Sequence, residues 1–192
     1  ATTELDVADV VLEHGERASP RRAPLHVQVF DHVLTDNSTT AYQAEVELPP
    51  AAFELGRVIL TLDIHDAGPD WDEWDRNGEI SIWDKDGNKH GIVPFITSYR
   101  TPCHWVVDVT HFRPWLCGKT KFEIRAGTTF YKNRGYMMSV SLDYYHGEQD
   151  ADPWRVLPLW NGVARYGSAE NHFRDILTPR RLEIPPEAVG AE

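Results

Sequence analysis

Eight short runs of β-branched and aromatic residues, most of them alternating polar with apolar, recur between residues 25 and 144. Such alternation places every second side chain on the same face, so each run predicts a half-buried β-strand. The runs are Leu25–Phe30, Tyr42–Leu48, Val58–Ile64, Glu79–Trp83, Ile92–Ile96, His104–Val109, Lys121–Arg125 and Tyr136–Tyr144. Val58–Ile64 is the most continuously apolar, which predicts a central strand. Helical periodicity is nearly absent, so the chain is expected to form an all-β fold, an antiparallel jelly-roll β-sandwich.

The domain organisation follows from where these runs begin and end. Residues 25–148 are expected to form the jelly roll, and residues 1–24 an N-terminal arm that ends in a polar, basic stretch. After an acidic linker, Trp154–Trp160 and Arg181–Ile184 each resemble a strand. Two or three strands do not bury a core of their own. Residues 149–192 are therefore expected to be a linker and the opening strands of a second jelly roll. The remainder of that jelly roll is expected either to come from another chain or to be absent.

The charge balance narrows the possible partners. Lys and Arg total 19 against 30 for Asp and Glu, which gives a formal net charge of -11. Because phosphate binding requires a basic surface, neither nucleic acid nor an anionic membrane is an expected partner. The histidines form no His-x-His or His-Glu-x-x-His pair, so no metal and no cofactor is expected. Asp84–Asn88 resembles part of a calcium loop but lacks further ligands, and a hairpin turn is the preferred interpretation.

The two cysteines, Cys103 and Cys117, flank a predicted strand and a turn. A disulfide between them would close a short loop, add about 3 kcal/mol of stability and imply an oxidising compartment. Two separate buried thiols are the alternative, and both possibilities stay open at this point.

The densest group of chemically active side chains is Pro69–Arg76, which holds four carboxylates and two tryptophans between two predicted strands. Loops at the ends of a sandwich are common places for a functional site. Indole faces suit the apolar faces of sugar rings, and carboxylates suit hydroxyl recognition or acid–base chemistry. The alternative is an acidic, solvated loop whose tryptophans close the end of the sandwich.

Glu73–Arg76 reads Glu-Trp-Asp-Arg and resembles the motif of that sequence in the peptide-N-glycosidase F family. Phe95–Tyr99 and Val107–Phe112 resemble further segments of the family, in the same order. Val156–Leu159 resembles the strand that opens the family's second domain, and Tyr166-Gly167 resembles a segment that follows it. This ordered series, from about residue 25 to 185, is more specific than any one motif.

The resemblance implies an amidohydrolase that cleaves the side-chain amide between an asparagine and the first N-acetylglucosamine of an N-glycan. Asparagine becomes aspartate, and a glycosylamine leaves. The family's fold is two jelly rolls packed side by side, with the glycan's chitobiose core bound between them and no metal required. The implied partner is an N-glycopeptide or glycoprotein substrate.

The resemblance also assigns roles to single residues. Asp75 corresponds to the principal catalytic carboxylate, and Arg76 to the group that holds Asp75 or the substrate. The expected substrate contacts are Trp71, Asp72, Glu73 and Trp74. In contrast, the family's supporting glutamate is replaced here by Gly127 or Thr128, and the tryptophan after it by Thr129 or Phe130.

These features together predict a peptide-N-glycosidase that is one chain of a cleaved two-chain enzyme, is active in acid, and is secreted or periplasmic. The alternative is a non-catalytic glycan-binding jelly-roll module, which the missing glutamate favours.

Overall fold

The structure is a computed structural model, and it describes residues 23–36, 38–51, 55–126 and 134–147. The expectations for most of the N-terminal arm, for the second jelly roll and for residues 127–130 lie outside this part of the chain.

Eight strands form, one for each predicted run, and most extend beyond it. They are β1 (Leu25–Thr35), β2 (Ala41–Leu48), β3 (Leu55–His65), β4 (Asn77–Trp83), β5 (Lys89–Ile96), β6 (Cys103–Asp108), β7 (Gly118–Ala126) and β8 (Tyr136–His146). Helical structure among the described residues consists of short 3₁₀ turns such as Thr110–Phe112. No helix in this part of the chain is long and apolar enough to cross a membrane.

The strands form two four-stranded antiparallel sheets, in the orders β1-β8-β3-β6 and β2-β7-β4-β5. β4 and β5 follow one another in the chain and pair in the same sheet. Every other connection between consecutive described strands crosses from one sheet to the other. This arrangement is that of a jelly roll, and it confirms the predicted fold. It also confirms that Val58–Ile64 belongs to an internal strand, because β3 lies between β8 and β6.

The inner faces of the two sheets enclose one hydrophobic core. Fully buried side chains alternate along the strands, and they include Leu60, Leu62, Ile80, Ile82, Phe122, Ile124, Met138, Val140 and Leu142. Each such side chain contributes about 1.5–3 kcal/mol by leaving water. This packed interior fixes the strand ends, and thereby the loops that the strands carry.

The turn from β4 to β5 is a hairpin, as expected for Asp84–Asn88. The Asp84 carboxylate accepts hydrogen bonds from the backbone amides of Asp86 and Asn88, at 3.0 and 2.8 Å. It also contacts Nε2 of the buried His90 at 2.7 Å. Burial alone would raise the pKa of Asp84, but the hydrogen bonds from His90, Asn88 and Asp86 outweigh it and lower the pKa to about 2.

Of the two possibilities left open for Cys103 and Cys117, the structure shows separate thiols. Cys103 pairs with Ile64 near one end of β3. Cys117 lies near the other end of β3. It directly follows Leu116, whose carbonyl accepts a hydrogen bond from the Tyr144 hydroxyl, and Tyr144 pairs with Val58 of β3. Those two ends lie roughly 20 Å apart at about 3.3 Å per residue. A disulfide requires Cα atoms within about 7 Å, so this separation favours the alternative of two separate thiols. The argument that a disulfide would give for an oxidising compartment therefore does not apply.

Candidate functional site

The predicted site segment forms the connection from β3 to β4, which crosses from one sheet to the other. It begins with a 3₁₀ turn, Gly68–Asp70, and then runs beside Gly135 just before β8. The Asp72 amide donates to the Gly135 carbonyl at 2.9 Å, and the Gly135 amide donates to the Asp70 carbonyl at 2.7 Å. A Cβ atom at Gly135 would lie 1.8 Å from the Thr35 carbonyl oxygen. Only glycine therefore permits this attachment of the loop to the sandwich.

Beneath the loop surface lies an ion pair between Asp72 and Arg76. The Asp72 side chain is wholly buried and the Arg76 side chain is 16% exposed. Arg76 Nε donates to Asp72 Oδ2 at 3.0 Å, and the Trp74 amide donates to Asp72 Oδ1 at 3.2 Å. A buried carboxylate needs such partners, because desolvating an unpaired charge is costly. The pair holds the loop in a tight turn and leaves the residues between its partners on the outside.

The Trp74 carbonyl is a second fixed point of the loop. It accepts hydrogen bonds from the Tyr136 hydroxyl at 2.5 Å and from Thr97 Oγ1 at 3.0 Å. Thr97 also accepts from the Arg76 amide at 2.8 Å through the same oxygen. Burial raises the pKa of Tyr136 to about 12, so its hydroxyl keeps the donated proton. Two side chains, one at the start of β8 and one directly after β5, thus fix the backbone next to Asp75.

The outer part of the loop contacts the connection from β5 to β6. The Arg100 amide donates to the Glu73 carbonyl at 2.8 Å, and Arg100 Nε donates to Glu73 Oε2 at 3.0 Å. Arg100 adopts the left-handed region with φ 57, which few non-glycine residues do. The Tyr99 ring lies against Trp74, with centroids 5.5 Å apart and planes at 60°. These contacts add an aromatic pair and a guanidinium to the rim of the loop.

The exposed surface of the loop carries Trp74 and Asp75. Trp74 is 39% exposed, and Asp75 is exposed as well. Trp71, by contrast, is half-buried and packs against the hydrophobic core. The loop therefore divides into a buried part, which closes the sandwich end, and an outer part, which presents an indole and a carboxylate to solvent.

The structure adds buried contacts to two of the expected site residues. Asp72 was expected to contact substrate, but with no exposed surface it lies beneath the site and supports it. Arg76 Nε donates to Asp72, and the expectation that Arg76 also holds Asp75 or the substrate stays a prediction. The packing of Trp71 matches the alternative that tryptophans close the sandwich end. Whether Trp74, Glu73 and Asp75 act on a substrate stays a prediction.

The sequence alone assigned no role in the site to five residues that the fold brings to the loop from two other segments, the connection from β5 to β6 and the start of β8. They are Thr97, Tyr99, Arg100, Gly135 and Tyr136. Thr97 and Tyr99 lie in the segment Phe95–Tyr99 that resembles the family, which was the one available signal for them. No group of three or more His, Cys, Asp or Glu within the described ranges is placed to hold a metal ion.

Comparison with known proteins shows which relatives the chain resembles. No family model matches the chain. Over 150 residues it is 34% identical to peptide-N(4)-(N-acetyl-beta-D-glucosaminyl)asparagine amidase F of Elizabethkingia miricola, a match that covers 73% of this chain and 42% of that relative.

Solved structures show the same fold. The chain superposes on recombinant peptide:N-glycanase F with a TM-score of 0.61 at 22% identity, over 67% of this chain and 44% of that one. It superposes on PNGF-II with a TM-score of 0.55 at 15% identity, over 68% and 36% of the two chains. The chain spans less than half the length of these relatives. By sequence likeness, motif order and jelly-roll topology together, the chain belongs to the peptide-N-glycosidase F family.

Proposed function

We propose that the chain takes part in hydrolysis of the amide that links an N-glycan to asparagine, with Asp75 as the catalytic carboxylate. One observation carries the proposal: the loop presents the exposed Asp75 beside the exposed indole of Trp74, while the carboxylate of Asp72 is buried and paired. A site for glycan chemistry needs an apolar surface for a sugar ring next to a group that moves protons. The outer part of the loop supplies both.

In the proposed reaction, the Asp75 carboxylate accepts a proton from a water molecule as that water adds to the side-chain amide carbon of the linked asparagine. The carbon–nitrogen bond then breaks. The sugar leaves as a glycosylamine after its nitrogen takes up a proton, and the asparagine side chain becomes the carboxyl group of aspartate. One water is consumed for each bond cleaved. Asp72 and Arg76 contribute by holding Asp75 in place.

The experiment compares two exposed carboxylates of the same loop, Asp75 and Asp70. Asp75→Asn is expected to abolish conversion of a glycopeptide, while Asp70→Asn retains it. Melting temperatures of both variants should stay close to that of the unaltered protein, because neither side chain is buried. Full turnover by Asp75→Asn would remove Asp75 from the catalytic role.

A non-catalytic glycan-binding module is the second candidate, favoured by the replacement of the supporting glutamate at residues 127–128. In that case Trp74→Ala would weaken glycan binding and no preparation would convert the glycopeptide. In the amidase, Asp75→Asn would lose turnover yet keep its glycan affinity. The two variants therefore distinguish the candidates.

Two finer expectations belong to the same proposal. The first is an activity optimum below neutrality, which the net negative charge of the chain and the replacement of the family's supporting glutamate favour. A flat or alkaline optimum would contradict this. The second expectation is a companion polypeptide that carries the remainder of a second jelly roll, and native mass measurement of the purified protein tests it.

A further inference from the structure

An open groove of about 540 Å³ lies where β4, β5, β6 and β7 come together. Its principal lining residues are Asn77, Glu79, Pro94, Ile96, Trp105 and Arg125. We call this the edge groove, because β5 and β6 are edge strands of the two sheets. Its volume falls within the range of small-ligand sites in proteins.

The apolar wall of the edge groove is unusually exposed. Ile96, the last residue of β5, is 52% exposed, and Trp105 of β6 is 39% exposed. The two residues come from different sheets and line the same groove. Neighbouring large apolar side chains left in water carry a hydrophobic cost, and such surfaces commonly mark a ligand or partner site.

Charged side chains of opposite sign form the polar side of the edge groove. Glu79 of β4 lies directly opposite Arg125 of β7 in the sheet register. Glu79 Oε1 accepts a hydrogen bond from Ser81 at 2.6 Å. A Cβ atom at Gly91 would lie 2.7 Å from Glu79 Oε2, so the glycine leaves the room that the carboxylate occupies. The carboxylate is therefore held, whereas the Arg125 side chain is exposed.

The edge groove is continuous with the candidate site. Asn77 directly follows Arg76 and pairs with Ile96, which directly precedes Thr97. The Thr97 amide donates to the Arg76 carbonyl at 2.9 Å, so the loop and the mouth of the groove form one hydrogen-bonded unit. The edge groove therefore adjoins the loop that carries Trp74 and Asp75.

We infer that the edge groove binds sugar residues of the substrate that lie beyond those held at Trp74, an inference that rests on the proposed function. The opposite charges of Glu79 and Arg125 offset each other, so the groove suits a neutral ligand better than an ionic one. Carboxylate, guanidinium and the Asn77 amide together accept from and donate to hydroxyl groups. The exposed Trp105 ring provides a face for a pyranose. Hydroxyl groups around an apolar ring face are the chemistry of a carbohydrate.

Isothermal titration calorimetry on the full chain tests the inference with three probes: a free branched N-glycan, chitobiose alone and an unglycosylated peptide. Trp105→Ala should weaken binding of the branched glycan about tenfold, or about 1.4 kcal/mol, and leave chitobiose binding unchanged. Tyr145→Ala is the matched control, since Tyr145 of β8 is 40% exposed, belongs to the same sheet as Trp105 and lies outside the groove. Arg125→Ala should also weaken binding, and as an exposed substitution it guards against misfolding of Trp105→Ala.

Equal glycan affinity in Trp105→Ala, Arg125→Ala and the unaltered protein would overturn the inference. Loss of peptide binding in place of glycan binding would assign the groove to the polypeptide and overturn it as well. Hydrolysis of a glycopeptide that carries only chitobiose tests the proposed function separately. No hydrolysis by any form, together with Trp105-dependent glycan binding, would refute the amidase while the groove assignment stands.

Discussion

Replacing either Asp72 or Asp75 by asparagine tests the division of the loop into a buried support and an exposed working surface. Asp72 has no exposed side-chain surface, and it accepts from Arg76 at 3.0 Å and from the Trp74 amide at 3.2 Å. Breaking a buried ion pair costs about 3–5 kcal/mol. Asparagine keeps one acceptor oxygen, so Asp72→Asn should cost about 3 kcal/mol. Exposed substitutions such as Asp75→Asn usually change stability by less than about 0.5 kcal/mol.

Urea denaturation followed by tryptophan fluorescence measures both changes, and thermal unfolding provides a second reading. A loss of about 3 kcal/mol corresponds to roughly 10 °C in Tm for a domain of this size. The slope of the urea transition should stay the same, because the surface exposed on unfolding is unchanged. Equal losses of unfolding free energy in the two variants, or an unchanged free energy in Asp72→Asn, would show that the buried ion pair does not stabilise the loop.

Three further predictions concern other parts of the sandwich. Tyr136→Phe removes one hydrogen bond from the Trp74 carbonyl and should cost about 1 kcal/mol in urea denaturation; unchanged stability would contradict the bond. Because the pKa of Asp84 in the folded protein is about 2, below its ordinary 3.8, its stabilisation is present above pH 4 and lost as pH falls toward 2. Asp84→Asn should therefore be about 2 kcal/mol less stable at pH 7, with a difference that disappears near pH 2; a pH-independent difference would oppose this sign. Cys103 and Cys117 should both react with a thiol reagent in urea without prior reduction, and an unreactive pair would show a disulfide.

The strands were predictable because alternation is a local property that each run carries in its own residues. β3, for example, is recognisable from Val58–Ile64 alone, and its internal position follows from the continuous apolar character of that run. The sequence left the pairing of Cys103 and Cys117 open for a topological reason. The chain between them crosses from one sheet to the other at the far end of β6, and separation along the sequence does not reveal that path.

The site was only partly predictable. The motif at Glu73–Arg76 located the loop, but an irregular loop has no period, so the sequence did not distinguish the buried Asp72 from the exposed Asp75. Tyr136 and Gly135 come from the segment before and into β8, far along the chain. The Tyr136 hydroxyl and the absent Cβ atom of Gly135 contact the loop only because β8 lies between β1 and β3. No local pattern in the sequence reveals that position.

The most direct test of the central claim is mass spectrometry of an N-glycopeptide after incubation with the purified protein, together with any polypeptide that purifies with it, at acidic and neutral pH. We expect the linked asparagine to appear as aspartate in the released peptide, and Asp75→Asn to leave the glycopeptide intact under the same conditions. A glycopeptide that stays intact with the unaltered protein, while the glycan still binds, would contradict the amidase and establish a glycan-binding module.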